Sequence, residues 1–252
     1  HLIILEYKGD PSSKEKIALV GKGVTYDTGG LNIKIRAMQE MNMDMSGAAV
    51  VLGIIRAAAE LKLKKNIIVV APVVENAVGV NSYKPGAILD SYLGKTVEIG
   101  NTDAEGRLAL ADALAYVVKN YKPTQIVDFA TLTGSVVAAL GNDYAGLFST
   151  DEKVDKIISS GNYVGETVWR MPLPEDYNEF LKSQRADLNN ISSVPEAGSI
   201  TAALFLKNFV GDTPWTHIDI AGSAMRNKSK NYWPKYGTGF GVRLILEWLR
   251  KN

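Results

Sequence analysis

The chain has 252 residues, 46% hydrophobic and 22% charged, enough for one large buried core. Its 28 Lys and Arg against 27 Asp and Glu leave a net charge of +1, which argues against nucleic acid or an anionic membrane as the main partner, since both call for a basic excess. There is no cysteine, hence no disulfide framework or thiolate site; with two histidines and no H-E-x-x-H, a His-rich zinc site is excluded as well.

The first residue is His1, and Leu2–Tyr7 reads as a strand already under way, not as a signal peptide. The chain is therefore expected to be a fragment or a processed form. No apolar run reaches the about 18 residues of a membrane span, so no membrane association is expected.

A turn cluster, Gly9–Ser13, separates that first strand from a second at Lys16–Val20, apolar without alternation, as in a sheet covered on both faces. Gly21–Gly30 reads as a polar, glycine-rich loop; Lys22 is followed by Gly23, so it is not a phosphate loop. Asp44 precedes a helical run, Ser46–Leu63, where its plainest role is a helix N-cap. Most of the methionines of Met38–Met45 read as core filler. Asn66–Val74 is a third strand, and Glu75–Asp90 a connection long enough to suspect function. The short strand Lys95–Ile99 runs into N-T-D-A-E-G-R at Asn101–Arg107, and a helix follows to Asn120. Gln125–Leu132 is a buried strand, and Val136–Leu140 begins a helix. Further helices are expected near Asp151–Ser160, over Gly198–Phe209 and over Gly241–Lys251, with a strand at Thr216–Ile220. Alternating strands and helices predict one α/β domain over residues 1–252: a three-layer α/β/α sandwich whose central sheet is mainly parallel, with helices on both faces. Gly198–Phe209 and the aromatic stretch Tyr232–Phe240 look too apolar for a free surface, which predicts self-association.

The strand ends collect Lys22, Asp27, Asp44, Asp103 and Glu105. Ligands of open α/β sheets gather at the carboxyl ends of strands. Four carboxylates in one crevice repel one another unless cations sit between them, and two divalent ions would balance them. Such metal pairs clamp both the attacking oxygen and the polarised carbonyl in hydrolysis. Lys34 and Arg107 are then left as fixed cations for a developing oxyanion. His217, two residues before Asp219, has no nucleophile motif beside it and reads as a structural core histidine.

These motifs resemble the catalytic domain of the leucyl aminopeptidase family, peptidase family M17. The resemblance rests on N-T-D-A-E-G-R, on V-G-K-G-V-T-Y-D-T-G-G at Val20–Gly30 and on M-D-M-S-G-A-A at Met43–Ala49. It extends through D-F-A-T-L-T-G at Asp128–Gly134, H-I-D-I-A-G at His217–Gly222 and T-G-F-G-V-R at Thr238–Arg243. The interval from Lys34 to Asp44 is one residue shorter than is usual in that family, and the family's smaller N-terminal domain is expected to be missing from this chain. The resemblance implies a cytoplasmic, metal-dependent aminopeptidase acting on peptides, with leucine or another apolar N-terminal residue preferred. It implies two divalent ions, Zn or Mn foremost, bridged by Asp27 and Glu105; Asp103 completes one site, and Lys22 with Asp44 the other. By the same resemblance Lys34 polarises the scissile carbonyl, and Arg107 holds a bicarbonate that takes a proton from the attacking water. The free substrate amine binds one metal. Met41, Thr131, Leu132 and Gly134 resemble parts of the substrate pocket, and the family forms homo-hexamers. Two non-catalytic alternatives stand beside this: a DNA-binding regulator, which the charge balance disfavours, and an inactive assembly subunit.

Overall fold

The computed structural model describes residues 1–251. The first strands, β1 (Leu2–Lys8) and β2 (Ile17–Gly21), fall where the apolar runs predict them, and β2 is buried along its whole length. The Gly21–Gly30 segment departs from expectation. Gly23–Asp27 is a strand, β3, paired in parallel with the far end of β4 (Asn66–Asn76). Its polar Thr25 and Tyr26 conceal it, because only Gly23, Val24 and Asp27 face inward. Helix α1 (Ser46–Glu60) follows a short 3-10 turn at Met38–Met43. Asp44 is not its cap, for Met45 precedes the helix and no side chain bonds the free N–H groups.

Next come β5 (Ile88–Asp90), β6 (Thr96–Glu98) and α2 (Glu105–Tyr121), which Lys122 ends in a left-handed conformation just before Pro123. Then follow β7 (Gln125–Ala130), α3 (Gly134–Leu140), β8 (Ala145–Ser149), α4 (Asp155–Val164), β9 (Val168–Arg170) and β10 (Leu188–Asn189). The chain closes with α5 (Gly198–Lys207), β11 (Trp215–Asp219), β12 (Met225–Arg226), β13 (Tyr236–Gly237) and α6 (Val242–Lys251). Helix α3 starts two residues earlier than the apolar pattern suggests, because the Thr133 hydroxyl accepts from Val136 N–H and caps it. Helix α4 starts later than expected, since the Asp151 carboxylate binds Lys153 N–H in the turn before it.

The main sheet has eight strands in the order β1-β4-β2-β7-β11-β8-β9, with β3 alongside β4. The central pairs β4·β2, β2·β7 and β7·β11 are parallel, while β1 and β8 run antiparallel to their neighbours β4 and β11. One core cluster packs α1, α4 and α6 on one face; a second packs α2 and α5 on the other. The architecture is the three-layer α/β/α sandwich with a mainly parallel sheet. No described helix is long and apolar enough to cross a membrane.

One argument for self-association falls away here. Helix α5 is apolar because it is inside: Ala202, Ala203, Leu204, Phe205 and Leu206 are fully covered within this chain. A helix that is hydrophobic all round is a buried helix, so it is no evidence for self-association. In the aromatic stretch, Trp233 and Phe240 are buried and only Tyr232 and Tyr236 stand out.

The parallel strands all point their carboxyl ends to one rim. Gly21 and Gly47 bring β2 and α1 into close approach there: a Cβ on Gly21 would lie 2.4 Å from Gly47 O, and one on Gly47 2.1 Å from Phe129 O. This close packing puts the loops after β2, β3 and β7 beside the start of α2.

Candidate metal centre

Asp27 ends β3, Asp103 lies in the turn before α2, and Glu105 is the first residue of that helix. One carboxylate oxygen from each falls within 4.8 Å of the other two, and among the described residues this is the group of three acids that could share a metal. Lys22 and Asp44 adjoin it. Lys22 Nζ is 2.7 Å from Asp44 Oδ2 and 3.2 Å from Glu105 Oε1, with all three side chains buried. Lys34 Nζ reaches in from the rim, 2.8 Å from Asp27 Oδ2 and 2.5 Å from Asp103 Oδ1. Gly106 makes room for this arrangement, since a Cβ there would sit 2.2 Å from Lys22 Cε.

The loops are clasped from behind. Thr102, fully buried, donates its hydroxyl to Gly29 O and its N–H to Asn32 Oδ1, and accepts Asn32 N–H at Oγ1. Gly29 and Gly30 have φ of +84° and +64°, which glycine adopts without strain. Asn76, at the end of β4, directs its amide at Asp27 Oδ1 (2.8 Å), Thr102 O (3.0 Å) and Glu105 Oε2 (3.3 Å). Tyr83 donates to the same Thr102 carbonyl. Thr131 binds Asp44 Oδ1 through its hydroxyl and accepts Lys22 Nζ at its carbonyl.

Four carboxylates face two ammonium groups here, so negative charge is in excess. Burial pushes Asp44 up to about 6, against the pull of Lys22. Burial also raises Asp103. It works the other way on the amines, yet Glu105 and Asp44 outweigh it at Lys22, and Asp103 and Asp27 at Lys34, so both are held more firmly protonated than usual. A divalent ion among the acids would reverse that field and favour loss of the Lys22 proton. Asp44 Oδ2 and Asp103 Oδ1 are buried beside an ammonium but make no aligned hydrogen bond. Buried hard oxygens, an amine and uncompensated negative charge fit a pair of divalent cations.

Arg107 is buried in the first turn of α2. Its Nη1 donates to Asn190 O, its Nε has no partner, and burial draws its pKa down to about 10 while Glu105 and Asp219 oppose that. Met41 is half-buried in the 3-10 turn, linked to the centre only through its carbonyl, which accepts Asp44 N–H. Leu132 packs against the second core cluster, and exposed Gly134 opens α3. A cavity of about 440 Å³ opens beside the Asp44 segment, lined by Met43, Met45, Ala224, Met225 and Phe240 among others, and not by Met41, Thr131, Leu132 or Gly134.

Asn76 and Asn190 escaped the sequence reading. Asn190, fully buried, accepts Gly100 and Asn101 N–H at its side chain and donates to Asn101 O, fixing the loop that carries Asp103. Their partners are 26 to 90 residues away in the chain, so no local pattern marks them. Partners that orient ligands typically change metal affinity 10–100-fold when lost. Asn76→Leu is expected to lower divalent-ion affinity by about that factor, read by calorimetric titration of the metal-free protein.

This is an α/β sandwich with a carboxylate-rich centre at the carboxyl ends of its parallel strands, the place where such folds carry their ligands. A profile of the cytosol aminopeptidase family, catalytic domain, matches residues 1–246, and the chain belongs to that family. It is 52% identical to the probable cytosol aminopeptidase of Protochlamydia amoebophila (strain UWE25), over 99% of this chain and 50% of that protein. It is 51% identical to the probable cytosol aminopeptidase of Cenarchaeum symbiosum (strain A), over 99% and 52%, and 49% identical to that of Chlamydia caviae, over 99% and 50%. The chain thus spans about half the length of these relatives.

Proposed function

We propose that residues 1–252 form a single catalytic domain that hydrolyses the N-terminal residue from peptides, with two divalent ions per chain. The observation that carries this reading is the convergence of Asp27, Asp103 and Glu105 on one point, with the Lys22–Asp44 pair against it. Asp27 and Glu105 would bridge the ions, Asp103 would complete one site, and Lys22 with Asp44 the other. When bound, the ions, Zn or Mn foremost, would supply Lewis acidity toward the scissile carbonyl and the attacking water, and Arg107 would hold a bicarbonate as base.

The protein's own groups do the rest. Lys34 Nζ, at the mouth of the site, would donate to the carbonyl oxygen as negative charge develops on it. Arg107, held through Nη1 by Asn190, has Nε free to bind an anion. Thr131 fixes Asp44 and Lys22 in mutual contact. Met43, Met45 and Phe240 give the cavity one apolar wall beside its polar Gln39, Glu40 and Asn42, a wall that would suit leucine or another apolar residue. Nothing in the geometry favours a DNA-binding regulator or an inactive assembly subunit.

The test is hydrolysis of a leucine-amide reporter beside its N-acetylated form. The expected result is turnover of the free amine alone. Equal turnover of both forms would exclude an aminopeptidase. Cytoplasmic location and a homo-oligomer, a hexamer as in the family, belong to the same proposal. Support for assembly comes from the exposed Leu31, Ile33 and Ile35 of the loop bearing Lys34, and from Val78 and Val80. Light scattering is expected to show a mass well above 27.3 kDa; a monomer at high concentration would contradict it.

A further inference from the structure

Beneath the centre lies a set of buried charges that the proposed reaction does not use. Strand β11 pairs with β7 so that His217 stands beside Asp128, and Trp215, His217 and Asp219 project from the same face. Asp128, His217, Trp215 and Asp219 are all fully buried. Asp128 Oδ1 lies 2.6 Å from His217 Nδ1, and its Oδ2 accepts Trp215 Nε1 at 2.7 Å. The imidazole is stacked between Trp215 and Phe148, with ring centroids 6.1 and 5.9 Å away. Its Nε2 has no hydrogen-bond partner.

Asp219 carries the set toward the centre. Its Oδ1 accepts Leu132 N–H and Ala221 N–H, and its Oδ2 accepts the Thr133 hydroxyl at 2.7 Å. Thr133 in turn caps α3. The 131–133 turn is thus held from two sides, by Lys22 and Asp44 through Thr131 and by Asp219 through Leu132 and Thr133.

Two fully buried carboxylates on one sheet face need positive charge nearby. The charged groups facing the imidazole are Asp128 from β7, Asp219 from β11 and Arg107 from α2, while β8 contributes the neutral Phe148. The Nδ1–Asp128 bond fixes a proton on Nδ1. The missing acceptor at Nε2 costs the cation a hydrogen bond, and two acids against one guanidinium oppose that cost. Burial disfavours the cation, but Asp128 and Asp219 prevail and the imidazole is raised above its ordinary value. Asp219 itself is pushed up by burial and held down by His217 and its hydrogen bonds.

We propose that His217 is a positioning residue: as an imidazolium bonded to Asp128, on the strand face it shares with Asp219, it keeps Asp219 ionised, and so holds the 131–133 turn against Lys22 and Asp44. This role rests on the hydrolytic reading above. Because its folded-state pKa is raised, the stability it contributes is whole below about pH 6.5 and fades as pH rises through the folded value.

The chain has two histidines, so nitrogen-15 correlation spectra of the metal-loaded protein resolve His217 from His1. Both His217 ring nitrogens are expected in the imidazolium range at about pH 7. A neutral Nδ1–H tautomer at that pH would overturn the proposal. The second arm compares His217→Gln with the double variant H217Q/D128N, which restores the charge balance. H217Q is expected to shift the Thr131 and Thr133 amide resonances and to lower kcat about tenfold with KM and metal content unchanged, and the double variant to recover part of both. Unmoved turn resonances with wild-type kcat in a folded H217Q would sink it. A wild-type protein that binds metal but hydrolyses nothing would instead refute the aminopeptidase reading, since the two resonance measurements need no substrate.

Discussion

Lys34→Ala is expected to keep the fold and both metals and to lose about 10²–10³ in kcat, the usual consequence of removing one oxyanion donor. Its ammonium contacts Asp27 Oδ2 and Asp103 Oδ1, two oxygens that the proposed cations would also need. In the metal-free protein the amine therefore competes with the ions, and its removal should not weaken metal binding. An interaction made chiefly in the transition state affects kcat and leaves KM nearly unchanged. Steady-state kinetics with metal analysis of the same sample decides the matter. Wild-type kcat at full metal occupancy would remove Lys34 from the reaction.

Glu105→Gln is expected to do more, bringing hydrolysis to background and lowering metal content below two ions per chain. The Glu105 carboxylate is buried, 3.2 Å from Lys22 Nζ, and receives the Asn76 amide. Replacing one of its oxygens by an NH₂ group removes a negative charge that the two proposed ions would share and sets a donor against either Lys22 or Asn76. The same substitution reduces crowding among the carboxylates when no metal is bound. The metal-free variant should therefore be no less stable than the metal-free parent, as thermal unfolding in chelator would read. Loss of fold in that variant would show that the carboxylate is structural.

Where burial writes a local pattern, the fold was legible. The continuous apolar runs of β2, β4 and β7, and the acids at their carboxyl ends, predicted a covered parallel sheet and the rim on which the centre lies. Strand β3 was missed because three of its five residues, Thr25, Tyr26 and Asp27, are polar, and its pairing with β4 runs past the apolar run to Asn76. Short β8, antiparallel to β11, carried no signal strong enough to separate it from a loop. Asp44 illustrates the limit of local rules. Its position before a helix suggested a cap, but Lys22 and Thr131, 22 and 87 residues away, claim its side chain. The one-residue shortening between Lys34 and Asp44 is accommodated in an irregular stretch where Ala37 has φ +55° and a 3-10 turn follows, while Lys34 still reaches Asp27 and Asp103. Helix α5 could have been placed inside this chain from the sequence itself, since a helix apolar on every face has no side left for solvent.

The central claim is that the acids gathered around Glu105 work by holding two divalent ions. It is tested most directly by stripping the protein with a chelator and returning Mn or Zn stepwise, with bound metal per chain and leucine-amide hydrolysis measured at each step. The account predicts no hydrolysis in the stripped protein, saturation at two ions per chain, and a rate that rises with occupancy. Hydrolysis that persists in a sample shown to contain no metal would contradict it.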